Sequence, residues 1–151
     1  MDEELMAQER ELYSRRFWAL VGIDTVAMER GRVVNRVRLR EEHFNQNEVV
    51  HGGVISTLID SAAGGAVRSM RTADAIATRP HATSDLHVAF ISPARGTQLT
   101  ATARVLKAGR TAVFVAVDVT DDREQLVAHG NATFIVRAPH ESSGQRALTD
   151  G

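Results

Sequence analysis

The sequence has no cysteine among its 151 residues. That excludes a disulfide framework, a thiolate metal centre and a cysteine nucleophile, and it fits a reducing compartment. It also lacks a dominant charge. Against 19 acidic residues stand 18 basic ones, leaving a formal net charge of −1, so no broad basic field draws the chain to nucleic acid or acidic lipid. A long hydrophobic run is missing as well. The most apolar stretch, Val54 to Val67, falls short of the roughly 20 residues a membrane-spanning helix needs and is interrupted by Ser56, Thr57, Asp60 and Ser61. The N-terminus reads MDEELM, acidic where a secretory leader is basic, and a cytoplasmic location is expected on that ground.

What is present is an ordinary globular composition, 43% hydrophobic and 25% charged. The length suits one domain, over about 1–138, that buries about two-thirds of its unfolded surface. Leu5, Leu12, Tyr13 and Trp18 follow a loose helical spacing behind Asp2, Glu3 and Glu4, so a short amphipathic helix is expected over about 2–18. The period then changes. Val33, Val37 and Leu39 alternate with Arg36, Arg38 and Arg40 after a turn at ERGR, which reads as a hairpin with one solvated face. From Gly53 to about Met70 the chain is apolar on nearly every side, as in a helix buried all round. Beyond Ser84 come four strand-like segments, SDLHVAFI, GTQLTATARVL, RTAVFVAVDVT and QLVAHGNATFIV, read as a meander broken at SPARG, KAGR and DDREQ. One long helix after two strands and before four implies an α+β fold, a curved antiparallel sheet wrapped around one central helix. Residues 139–151, PHESSGQRALTDG, are polar and aperiodic and read as a flexible tail.

The chemistry concentrates in FNQNEVVHGGVISTLIDSAAGGAV, residues 44–67. Free N–H groups at a helix start form a partially positive site, and Gly52 and Gly53 let a ligand oxygen approach with no side chain in the way. The plainer reading is that the two glycines merely turn the chain into the helix. Asp60 lies mid-helix, where an unpaired charge costs several kcal/mol to bury, so it is either a structural acid held by Arg68 or another arginine, or a functional one. Ser56 and Thr57 lie four and three residues before it and Gly64 four after, so one helix face is small and polar. Eight residues separate Gly52 from Asp60, about 12 Å along a helix axis. One helix cannot bring both to one atom; two antiparallel copies of it can, which points to an obligatory dimer with two equivalent sites. His51 either fixes the turn or lines a pocket. Arg110 in KAGR, with Lys107 and Arg95, is a candidate grip for phosphates, against the plainer reading of a solvated turn charge. The six histidines form no zinc-ligand pattern, so no metal is expected.

The central segment, with SDLHVAFISPARG, ARVLKAGRTAVFVAVDVTD and LVAHGNATFIV, resembles the hot-dog-fold acyl-CoA thioesterases of the phenylacetate-pathway (PaaI-like) type over about residues 20–137. The specific features are an Asn six residues before His-Gly-Gly, an Asp nine after that His, and the Ser-Pro-Ala break. The resemblance implies a hot-dog fold and hydrolysis of acyl-CoA with no cofactor beyond the coenzyme A of the substrate, in a homodimer or homotetramer. It assigns the carbonyl-binding amide to Gly52, the catalytic carboxylate to Asp60 as general base or nucleophile, and the positioning amide side chain to Asn45. Thr83 falls where the family has a small hydroxyl residue, and His51, Gly53 and Arg110 are expected to face substrate. Glu48 stands where the family has glycine, and Asn47 beside it is expected to supply the tolerant backbone. A non-catalytic acyl-CoA-binding module on the same fold is the alternative.

Overall fold

A computed structural model of the chain describes residues 3–137. Two helices open it, α1 (Glu3–Tyr13) and α2 (Arg16–Val21), followed by β1 (Ile23–Glu29) and β2 (Arg32–Arg38). A 3-10 turn at Glu41–His43 leads to the long α3 (Gly52–Ser69) and the short α4 (Ala73–Thr78). The strands β3 (His81–Phe90), β4 (Gln98–Ala108), β5 (Ala112–Asp121) and β6 (Leu126–Val136) complete the chain. All six strands form one antiparallel sheet in the order β1-β2-β4-β5-β6-β3. This is the α+β, hot-dog arrangement that the sequence implies. The expected tail, 139–151, lies outside the described residues.

Alternation places Leu99, Ala101 and Ala103 of β4 and Val113, Val115, Val117 and Val119 of β5 on the inner face of the sheet, where they are buried. Against them α3 sets Ile55, Leu58, Ile59, Ala62, Ala63, Ala66 and Val67. The contact is close enough to dictate composition. A Cβ on Gly65 would stand 3.2 Å from Val33, and one on Gly130 would stand 2.6 Å from Ile59, so the helix rests directly on β6 backbone where only glycine fits.

The structure departs from the sequence expectations in three places. Instead of one N-terminal helix over 2–18 there are two, because Arg15 is extended and Arg16 takes φ +60°. The break lets both helices converge on α3: Tyr13 OH donates to the Ser61 carbonyl at 2.7 Å and Trp18 Nε1 donates to Ser61 Oγ at 3.1 Å. The meander comprises only β4, β5 and β6; after α4, a short helix not expected from sequence, β3 runs along the far edge and pairs with β6. Finally, β3 starts at His81, three residues before Ser84. No helix among the described residues is long and apolar enough to cross a membrane.

Candidate active site

The N-terminus of α3 is capped by its own histidine. His51 is extended at φ −60° and ψ 134°, and its Nδ1 accepts from the Gly53 N–H at 2.9 Å. An accepting Nδ1 places the ring proton on Nε2. The amides of Val54 and Ile55 turn to the His51 carbonyl. The Gly52 N–H takes no acceptor among the described residues. Of the two candidate amides, Gly53 is therefore occupied by the cap and Gly52 is the one left at the positive end of an eighteen-residue helix. Its outer side is close-packed, since a Cβ there would stand 3.2 Å from the Phe90 ring and push it aside.

Ahead of the helix, the loop is built around Asn45. Its Oδ1 accepts from Asn47 N at 2.9 Å and from Val49 N at 3.4 Å, and Asn45 N donates to the Val49 carbonyl at 2.9 Å. Its side-chain Nδ2 takes no partner among the described residues and is the donor the loop leaves over. The left-handed residue in this turn is Glu48 itself, at φ +57°. That corrects the expectation that Asn47 carries the tolerant backbone: the position that the resemblance gives to glycine is the strained one, and a glutamate occupies it.

Asp60 is half-buried on the face of α3 turned toward β3. Thr83 Oγ1 donates to its Oδ1 at 2.7 Å, which fixes one carboxylate oxygen and leaves Oδ2 for another partner. Arg68, the arginine considered as its structural counter-ion, is bound elsewhere: Nε and Nη2 reach Glu9 of α1 at 2.5 and 3.0 Å. Among the described residues Asp60 forms no ion pair. Ser56 and Thr57 donate to the carbonyls of Gly52 and Gly53, at 2.9 and 2.8 Å, so their hydroxyls are occupied within the helix.

Two half-sites thus exist in one chain, Gly52 with His51 and Asn45 at the start of α3, and Asp60 with Thr83 two helical turns on. The chain does not bring them together. Nor does it gather the three cations considered for phosphate. Arg95 lies at the Gly52 end, its Nη1 donating to the Glu48 carbonyl at 2.9 Å. Arg110 belongs to the β4–β5 turn and Lys107 to the last residues of β4, at the opposite end, where the Thr111 carbonyl accepts from Val136 N. Phe90, which lies on Gly52, pairs with Ala128, eight residues from Val136 along β6 or about 26 Å. Arg110 has company that was not anticipated: its carbonyl and that of Arg137 accept from Arg79, whose own carbonyl accepts from Arg71. None of these four arginines has an acidic partner among the described residues. His81, beside Arg71, has its pKa pushed down to about 4, by burial first and then by Arg68 and Arg71.

Residues 47–128 match the model of the thioesterase superfamily. The chain belongs to that superfamily. Among its relatives, human acyl-coenzyme A thioesterase 13 is 32% identical over 123 residues, 80% of this chain and 84% of that protein. Among solved structures, a conserved protein of Pseudomonas aeruginosa superposes with a TM-score of 0.77 at 30% identity, over 84% of this chain and 98% of that one. The E. coli PaaI protein from the phenylacetic acid degradation operon gives 0.77 at 22% identity, over 90% and 96%, and shares the fold. This thioesterase is a thioester hydrolase, and the family assignment made from FNQNEVVHGGVISTLIDSAA stands. Sequence reading placed Phe90 on a strand and gave it no part in the site. No local signal marks a phenylalanine that leans on a glycine of another element, because only the β3–α3 juxtaposition reveals it.

Proposed function

We propose that the protein hydrolyses acyl-CoA thioesters to the free acid and coenzyme A, with each active site shared between two copies of the chain. The observation that carries the reading is the pair of half-sites: a Gly52 amide at a helix N-terminus and an Asp60 carboxylate held by Thr83, the one without an acceptor and the other without a counter-ion among the described residues. The thioester carbonyl accepts from the Gly52 N–H, which stabilises the charge that develops on oxygen; a donor of this kind contributes about 10²–10³ in rate. Asp60 of the partner subunit activates water as general base, or attacks the carbonyl itself, and Thr83 holds the carboxylate in register. Asn45, through its spare Nδ2, positions water or carbonyl at the Gly52 end. These steps ask for no metal.

The need for a second copy follows from distance, since about 12 Å of helix separates Gly52 from Asp60. Support comes from β3, a ten-residue edge strand whose outer side lacks a partner among the described residues and which lies beside both half-sites. Unpaired edges of that length are normally covered. Arg110, with Arg79 and Arg137, is the proposed seat of the coenzyme phosphates: Arg137 lies three residues beyond Phe134, the partner of Thr83, or about 10 Å along the strand. Relatives named acyl-coenzyme A thioesterases support the substrate class, and the reading places the enzyme in the cytoplasm. The test is thiol release from a panel of CoA thioesters by wild type and Asp60→Asn side by side. Wild type is expected to turn over at least one ester, and Asp60→Asn to lose about 10²–10⁴ in kcat while still binding it. Binding without turnover of any ester by wild type would replace this reading with that of a non-catalytic acyl-CoA module.

A further inference from the structure

Beside the Gly52 amide lies a cavity of about 410 Å³ lined by Val49, Val50, Ile55, Phe90, Pro93 and Ala94, with Ile91 and Ser92 at its rim. That volume lies in the lower part of the range for small-ligand pockets, roughly 300–1,000 Å³. Its floor is closed, for Val50, Ile55 and Ala94 are all buried. Ser92 is the one side-chain hydroxyl on the wall and no charged side chain lines it. One wall is unusual: in the single chain Phe90 is 57% exposed, yet its ring lies against the Gly52 backbone, 3.2 Å from where a Cβ would stand. An aromatic side chain so exposed leaves much of its apolar surface uncovered, and here that surface faces the space next to the carbonyl-binding amide.

We infer that this cavity receives the acyl group and that Phe90 is the residue that sets which acyl groups fit. The inference rests on the thioesterase reading above and deepens it. A carbonyl oxygen on the Gly52 N–H leaves two directions for the rest of the molecule. The sulfur side must run toward Asp60 and Thr83 of the partner subunit, where the arginine cluster lies, and the acyl side then enters the apolar cavity that Gly52 adjoins. The floor at Val50, Ile55 and Ala94 limits length. The Phe90 ring limits width at the mouth. The substrate class is accordingly an unbranched, medium-length aliphatic acyl group, and bulkier acyl groups meet the ring.

The experiment compares kcat/KM for a series of CoA thioesters, unbranched acyl chains of increasing length and one branched and one aromatic acyl group, in wild type, Phe90→Ala and Ser92→Phe. In Phe90→Ala the ratio of bulky to unbranched substrates should rise about tenfold or more, the scale on which an apolar pocket resolves one methylene. In Ser92→Phe, which narrows the mouth from the other side, the ratio of bulky to unbranched substrates should fall about tenfold or more. If both variants scale every substrate by one common factor, the cavity is not the acyl pocket and the inference is wrong, while hydrolysis by wild type still upholds the thioesterase reading. If wild type hydrolyses none of the series, that reading fails and takes this inference with it. Ser92→Phe keeps the test decisive should Phe90→Ala fail to fold.

Discussion

Glu48 holds φ at +57°, a left-handed conformation in which its Cβ crowds the neighbouring carbonyl at a cost of about 1–2 kcal/mol. Its N–H donates to the Asn45 carbonyl and its own carbonyl accepts from Arg95, so the conformation is imposed by bonds a glycine would also make. Glycine gives back about 0.5–1 kcal/mol through its looser unfolded chain. Glu48→Gly should therefore stabilise the protein by roughly 0.5–1 kcal/mol, read as a higher urea midpoint at unchanged slope. A lower midpoint would mean that the glutamate side chain makes a compensating contact. The residue that breaks the family pattern was visible in the sequence, but the strained dihedral was not, because a dihedral is set by where the loop must end. In the same way Asp60 and Thr83 were both singled out, while their 2.7 Å bond spans a helix and a strand 23 residues apart and had no local sign.

Elements rather than residues explain the buried polar network under α3. Arg68 joins Glu9 of α1 by a two-pronged ion pair, both side chains largely out of water, and Tyr13 bridges onward to the Ser61 carbonyl and to Asn35. Burial lifts the Tyr13 phenol to a pKa of about 12. Burial also pulls the Arg68 guanidinium down, and the Glu9 carboxylate more than offsets it, so that its pKa is raised. Removing one member leaves a buried charge alone. Arg68→Met or Glu9→Leu by itself should cost about 3–5 kcal/mol, and the double replacement far less. A double-mutant cycle by urea unfolding measures the difference, and single losses under about 1 kcal/mol would show that α1 is not clamped this way. Much at this scale was legible: α3 from its all-round apolarity and β4 to β6 from strand-like segments set between the turn formers of SPARG, KAGR and DDREQ. The split of the first helix at Arg15 was not, since Leu12, Tyr13 and Trp18 keep helical spacing and only the meeting of Tyr13 and Trp18 at Ser61 demands a bend. The placement of β3 beside β6 was hidden too, because strand order depends on a crossover that no periodicity encodes.

For the molecule as a whole, the chemistry divides between copies. Mixing Asp60→Ala with Gly52→Val, whose side chain strikes the Phe90 ring, should regenerate one sound site in each mixed dimer. Random pairing makes half the dimers mixed and gives them one working site of two, so activity should recover to about a quarter of wild type. Two inactive chains that stay inactive together would place the whole site in one chain. The helix that separates Gly52 from Asp60 acts, in this view, as a ruler. Each residue inserted between them would swing the carboxylate by about 100° and push it about 1.5 Å along the axis, off Thr83 and out of phase with its counterpart. Surface loops of such a protein are free to lengthen during evolution, while the count of eight from Gly52 to Asp60 is locked, since a single insertion misplaces the carboxylate in both sites of the pair at once.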